Sequence, residues 1–128
     1  MIVGIGVDVV HVSRMERWRS IPGLTERYFD PQELREALAK GSAATLALAA
    51  RFAAKEAFGK ALGTGLAGLA LKDIRVRNMH NGKPQIVLAG AALAALGRSG
   101  ADTVHISLTH ESDNAIAMVV LECRKNGN

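Results

Sequence analysis

Alternating and periodic apolar positions divide the chain into short strands and longer helices. Residues 2–10, IVGIGVDVV, form a β-branched run that predicts a buried strand, broken only by Asp8. Ser13 is placed to cap a short basic helix carrying Arg14, Arg17 and Arg19. Asp30-Pro31-Gln32-Glu33 combines an N-cap acid, a proline at the first helical position and a capping-box glutamate. That helix is expected to run to about Lys40. A longer helix is expected over 43–62, stopped by Gly63 in the left-handed conformation. Residues 71–76 and 85–88 read as strands on either side of the turn Asn81-Gly82-Lys83-Pro84. Residues 90–98 read as an alanine-rich helix. Residues 104–109 and 115–122 read as a terminal antiparallel pair joined through 111–114. The pattern predicts an α+β fold: one domain over 1–128, with one long helix packed on a small, mostly antiparallel sheet.

Composition narrows the class. The chain has 128 residues, 48% of them hydrophobic and 22% charged, which suits one globular core. Aromatic residues make up only 4%, so the core must rely on small side chains and closely approaching backbones. The net charge of +4 favours anionic partners without choosing among them. Scattered aromatics and unclustered basic residues argue against a nucleic-acid-binding module. Cys123 is the single cysteine, so no internal disulfide can form, which suits a reducing compartment. The N-terminal run carries Asp8, lacks a basic leader and is too short to span a bilayer, so a cytoplasmic protein with no membrane partner is expected.

Two features carry chemistry. Asp8 lies within an otherwise apolar strand, where a carboxylate is costly unless it is paired, caps the chain or binds a cation. Glu56 and Lys60 lie four residues apart in RFAAKEAFGKALGTG and so share a helix face. An exposed ion pair would explain them. Against it stand the surrounding Phe52, Ala53, Ala57, Phe58 and Ala61, and a helical Gly59 that implies close approach by another segment. Asp8 and Glu56 together would suit a hard divalent cation that keeps positions open for water and phosphate. The GIG before Asp8 is no dinucleotide fingerprint, because Val9 stands where the third glycine belongs. Gly63-Thr64-Gly65 reads first as a helix stop. His110, beside Thr109, lies at a strand end. The histidines and Cys123 show no zinc-ligand spacing.

These segments, in this order, resemble a known family. GIGVDVV, RFAAKEAFGKALGTG, NGKP and HISLTHESDNAIAMVVLE together are similar to the small bacterial 4′-phosphopantetheinyl transferases, the holo-acyl-carrier-protein synthases. The resemblance implies an α+β homotrimer with active sites in the clefts between subunits. It implies transfer of 4′-phosphopantetheine from coenzyme A to a serine of apo-acyl carrier protein, activating that carrier for fatty acid biosynthesis. Adenosine 3′,5′-bisphosphate is the second product. By the same resemblance, Asp8 and Glu56 hold Mg²⁺, and Glu56 accepts the serine proton, directly or through water. Lys60 steadies the pyrophosphate. Gly63, Gly65, Thr109 and His110 lie at the phosphates, Asn81, Gly82 and Pro84 frame the adenine, and Arg51 lies near the nucleotide. Arg14 and Arg17 would meet the acidic carrier protein.

Two departures stand out. Some members have a lysine/arginine pair before the long helix, where this chain offers only Lys40. In some members a hydroxyl residue follows the final histidine; here it is Glu111, which is expected to point away from the phosphates. A different Mg²⁺-dependent phosphoryl or nucleotidyl enzyme would keep Asp8 and Glu56 without needing a carrier protein.

Overall fold

The computed structural model describes residues 1–125. Strand β1 (Ile2–His11) pairs antiparallel with β5 (Asn114–Glu122), and β5 pairs on its other side with β4 (Thr103–Glu111). A separate antiparallel hairpin joins β2 (Ile74–Asn78) to β3 (Pro84–Leu88). The single sheet expected from sequence is therefore two sheets, and β3 lies beside β4 without a hydrogen-bonded ladder. The helices are α1 (Val12–Arg19), α2 (Leu24–Tyr28), α3 (Pro31–Leu38), α4 (Ala44–Leu62) and α5 (Gly90–Ser99). The five-residue α2 has no counterpart in the sequence reading. Leu71–Asp73, expected to be strand, forms a 3-10 turn before β2.

Helix α4 crosses the inner face of the three-stranded sheet, and most of its circumference is buried. A helix enclosed on several sides cannot show a sharp polar face, and Ala47, Ala49, Ala53, Ala54 and Ala57 let neighbouring backbones come close. Gly6 of β1 shows how close. A Cβ there would overlap the Ala57 carbonyl, so only glycine admits the helix. Gly59 answers to the same cause. Its absent Cβ leaves room for Leu66 and for the Gly65 backbone, which would lie at 2.9 and 3.0 Å.

The buried reading of β1 holds for one face only. Gly4, Gly6, Asp8 and Val10 face α4, whereas Ile5, Val7 and Val9 are 63%, 49% and 57% exposed. Strand alternation sends these three side chains to the outer face. Register aligns them with Val120, Met118 and Ile116 of β5, and with His105, Ser107 and Thr109 of β4. The outer face of the sheet is thus largely apolar.

A polar latch fixes α3 to the rest. Asp30 accepts the Gln32 N–H as N-cap and takes a bidentate pair from Arg77 of β2 at 2.7 and 3.0 Å. Burial raises the Asp30 pKa, but the Arg77 guanidinium and the Gln32 amide outweigh that effect and hold it below the ordinary carboxylate value. Glu33 is fully buried and accepts from Lys55 at 2.8 Å and from the Val76 N–H at 3.0 Å. Lys55 also donates to the Leu71 and Ile74 carbonyls. Three acceptors around one Nζ match the three protons of an ammonium, so this buried lysine is structural. Burial pushes Glu33 upward and Lys55 downward, and their mutual attraction opposes both shifts.

Helix α1 is capped by His11, whose Nδ1 accepts the Ser13 N–H at 3.1 Å, so Ser13 lies inside the helix and is not its cap.

Candidate active site

Asp8 and Glu56 lie where β1 passes α4, close enough for the charge of Asp8 to act on Glu56. Strand alternation turns Asp8 toward the helix, one step beyond Gly6, and Glu56 lies on the turn beside Ala57. Both are partly exposed. Burial lifts the Glu56 pKa first and the charge of Asp8 lifts it further, while Arg14 and Lys60 pull it down. Two neighbouring acids with partial water access suit a hard cation that accepts further oxygen ligands. Among the described residues no cluster of three His, Cys, Asp or Glu forms a closed metal cage.

Lys60 does not pair with Glu56. Its Nζ donates to Asp8 Oδ1 at 2.9 Å and to the Val7 carbonyl at 3.1 Å. The ion pair open to Glu56 and Lys60 at four-residue spacing is therefore replaced by one between helix and strand. The Lys60 side chain remains 55% exposed, so a cation stands at the mouth of the carboxylate site. Arg14 lies over the Phe52 ring at 4.8 Å and over Trp18 at 5.7 Å. That packing brings its charge within reach of Glu56, while Arg17, one turn on, stays exposed.

Gly63 and Gly65 have positive φ of 83° and 71°. Their amides donate to the Lys60 and Gly59 carbonyls, which makes them a helix stop beside Lys60.

Most of the remaining expected residues gather elsewhere. A cleft of about 480 Å³ is lined by Lys40, Arg51, Asn78, Gly82, Pro84, Thr109 and His110, with apolar side chains between them. Here α4, the β2–β3 hairpin and the end of β4 meet. Asn81 is not among the lining residues; its side chain accepts the Lys83 N–H at 3.0 Å and shapes the turn. Glu111 is exposed and, by alternation, lies on the opposite face of β4 from His110. Arg51 is 3% exposed, and its Nε and Nη2 have no hydrogen-bond partner among the described residues. Burial lowers its pKa, opposed mainly by Glu33 and Glu36. A buried guanidinium with free donors on a cleft is a ready anion site. Sequence reasoning missed Asn78, which carries no motif and reaches the cleft only because β2 ends there.

The two groups lie toward opposite edges of one sheet. Asp8 is on β1 and His110 on β4, with β5 between them, so the two strands are about 10 Å apart.

The sequence model of the 4′-phosphopantetheinyl transferase superfamily matches residues 4–119. The chain belongs to this family. The holo-[acyl-carrier-protein] synthase of Treponema denticola is 53% identical over 122 residues, covering 95% of this chain and 99% of that protein. The crystal structure of the Neisseria meningitidis holo-[acyl-carrier-protein] synthase superposes with a TM-score of 0.86 at 37% identity, covering 95% of this chain and 99% of that one. The Bacillus anthracis enzyme, solved in complex with CoA (3′,5′-ADP), superposes with a TM-score of 0.79 at 38% identity, covering 96% of this chain and 98% of that one. In family terms, the segments that raised the resemblance are those that build the carboxylate site and the basic cleft.

Proposed function

We propose that the chain is a holo-acyl-carrier-protein synthase that moves 4′-phosphopantetheine from coenzyme A to a serine of apo-acyl carrier protein. The observation that carries this reading is the pairing of an Asp8–Glu56 carboxylate site with a basic cleft, in a chain whose relatives bear that name. Complexes of neighbouring structures with coenzyme A support the cosubstrate.

In this mechanism the serine oxygen attacks the phosphorus that carries pantetheine. The bond from that phosphorus to the bridging oxygen breaks, and adenosine 3′,5′-bisphosphate leaves. Glu56 takes the hydroxyl proton, directly or through water. Asp8 and Glu56 would hold Mg²⁺, which supplies charge neutralisation on the pyrophosphate and polarises the phosphorus. Lys60 exchanges part of its contact with Asp8 for the phosphate charge as it builds. Gly63 and Gly65 have open space where a Cβ would stand, which gives the pyrophosphate room beside Lys60. Arg51 and His110 meet the nucleotide phosphates, with Thr109 beside them. Gly82 and Pro84 frame the adenine in a turn shaped by Asn81. Arg17, with Arg14, faces the acidic carrier.

The working unit in this reading is a homotrimer. One chain keeps its carboxylates and its basic cleft on opposite edges of a sheet, and a head-to-tail ring brings one chain's β1 edge to the next chain's β4 edge. The apolar outer face of Ile5, Val7, Val9 and Met118 would be covered in that assembly. One domain suffices for this chemistry, and a lone free cysteine fits a cytoplasmic setting.

The test mixes the protein with apo-acyl carrier protein, coenzyme A and Mg²⁺ and follows the carrier's intact mass. One added phosphopantetheine, lost with EDTA, is expected. No addition to a carrier that a known transferase can load would overturn the assignment. In the same assay, Arg17→Glu is expected to raise the carrier KM while leaving coenzyme A affinity unchanged. Equal effects on both would misplace the docking face.

A further inference from the structure

Arg51 raises a question that the family likeness does not answer. Its guanidinium is buried, yet two of its nitrogens have no hydrogen-bond partner among the described residues. The one direct contact is Nη1 to the Ala47 carbonyl at 3.3 Å, one turn back on α4. Burying a charge this way is costly unless an opposite charge lies close. Two acids are near. Glu33 is already engaged by Lys55 and the Val76 N–H. Glu36, one turn after Gln32 on α3, is the other.

The geometry of Glu36 is specific. Its Oε2 accepts from Gln32 Nε2 at 3.0 Å, which fixes the carboxylate on the helix. Its Oε1 lies 3.4 Å from the Asn78 N–H and 3.9 Å from Arg51 Nη2. At 3.9 Å the charges attract, but no hydrogen bond forms. The Arg51 charge is thus compensated while Nε–H and Nη2–H stay free. A closer acid would have consumed those donors. Glu36 also touches both walls of the cleft, since Arg51 and Asn78 line opposite elements of it.

We propose that Glu36 is a positioning residue: its carboxylate balances the buried Arg51 charge without occupying its donors, and so keeps the guanidinium available to a phosphate of the nucleotide cosubstrate. This inference rests on the reading of the cleft as the coenzyme A site. The surrounding charges agree with it. Arg77 opposes the Arg51 charge and Glu33 supports it, but each is held in an ion pair of its own.

The decisive variant is Glu36→Gln, which keeps an acceptor for the Asn78 N–H and removes only the charge. Coenzyme A binding is measured by calorimetry, carrier KM by the loading assay, and the Arg51 Nε–H resonance by side-chain NMR. The expected result is coenzyme A affinity reduced about fivefold, with the carrier KM unchanged and the Arg51 resonance displaced. In an Arg51→Met background the same change should add nothing, because its effect passes through Arg51. Unaltered affinity in Glu36→Gln, or a full further loss in the Arg51→Met background, would overturn the proposal. Failure of the wild-type protein to bind coenzyme A would instead sink the cleft assignment. The Arg51 resonance would then still decide the positioning, since an unchanged signal in Glu36→Gln overturns it.

Discussion

Asp8 shows how one residue can look wrong in its element and right in its site. A strand that packs on a helix has no use for a carboxylate, and sequence alone left pairing, capping and metal binding open. Lys60 decides part of this by bonding to Asp8 across the strand–helix gap. The remaining freedom of the site lies with Glu56, whose nearest compensating charges are Arg14 and Lys60. If the two acids hold the metal, Glu56→Gln should lower turnover about a thousandfold while the chain still folds. Mg²⁺ should raise the melting temperature of the wild type and leave that of Glu56→Gln unmoved. An equal rise in both would place the metal elsewhere. The spacing of Glu56 and Lys60 was legible, but not the true partner of Lys60, because i to i+4 rules see only one helix.

At the scale of elements, the capping box at Asp30 was legible from four letters, yet its larger role was not. The same carboxylate that caps α3 also receives Arg77 from β2, and Glu33 of that box receives Lys55. Arg77→Met should therefore cost about 1.5 kcal/mol near neutral pH, read by urea unfolding. The sign with pH follows from the lowered Asp30 pKa. Stability from this pair is present above the ordinary aspartate value of 3.8 and is lost as pH falls through the lower, folded value. The gap between wild type and Arg77→Met should then be constant near neutrality and close in acid. A gap that stayed open at low pH would mean packing, not charge, holds the latch. Gly6→Ala tests the other contact between elements. Its new Cβ has no room against the Ala57 carbonyl, so a loss of several kcal/mol, about 3 or more, is expected.

For the whole molecule, the outer face of the sheet is the main apolar surface left uncovered on the single chain. Met118, 47% exposed, sits at its centre between Val7 and Ser107. Met118→Asp should yield monomers by sedimentation and abolish turnover, because each shared site would lose one edge. Mixing inactive chains is the sharper test. Glu56→Gln and His110→Ala subunits, unfolded and refolded together, should regain about a quarter of wild-type turnover if each site draws on two neighbours. No recovery from mixed, verified trimers would place both groups in one chain's site.

Local chemistry was readable in the letters: the capping box, the glycine stop after α4, the NGKP turn and the acid–base spacing within the long helix. These are short-range effects, set by backbone conformation and by neighbours within a few residues. Tertiary structure alone decided the rest. It split the strands into two sheets, turned half of β1 outward, gave Lys55 a structural ammonium site and Lys60 a partner 52 residues away in sequence. It also left Arg51 buried with free donors beside Glu36. The physical reason is that desolvation, charge pairing and exposed apolar area depend on which distant segments meet, and periodicity along one segment carries no record of that meeting.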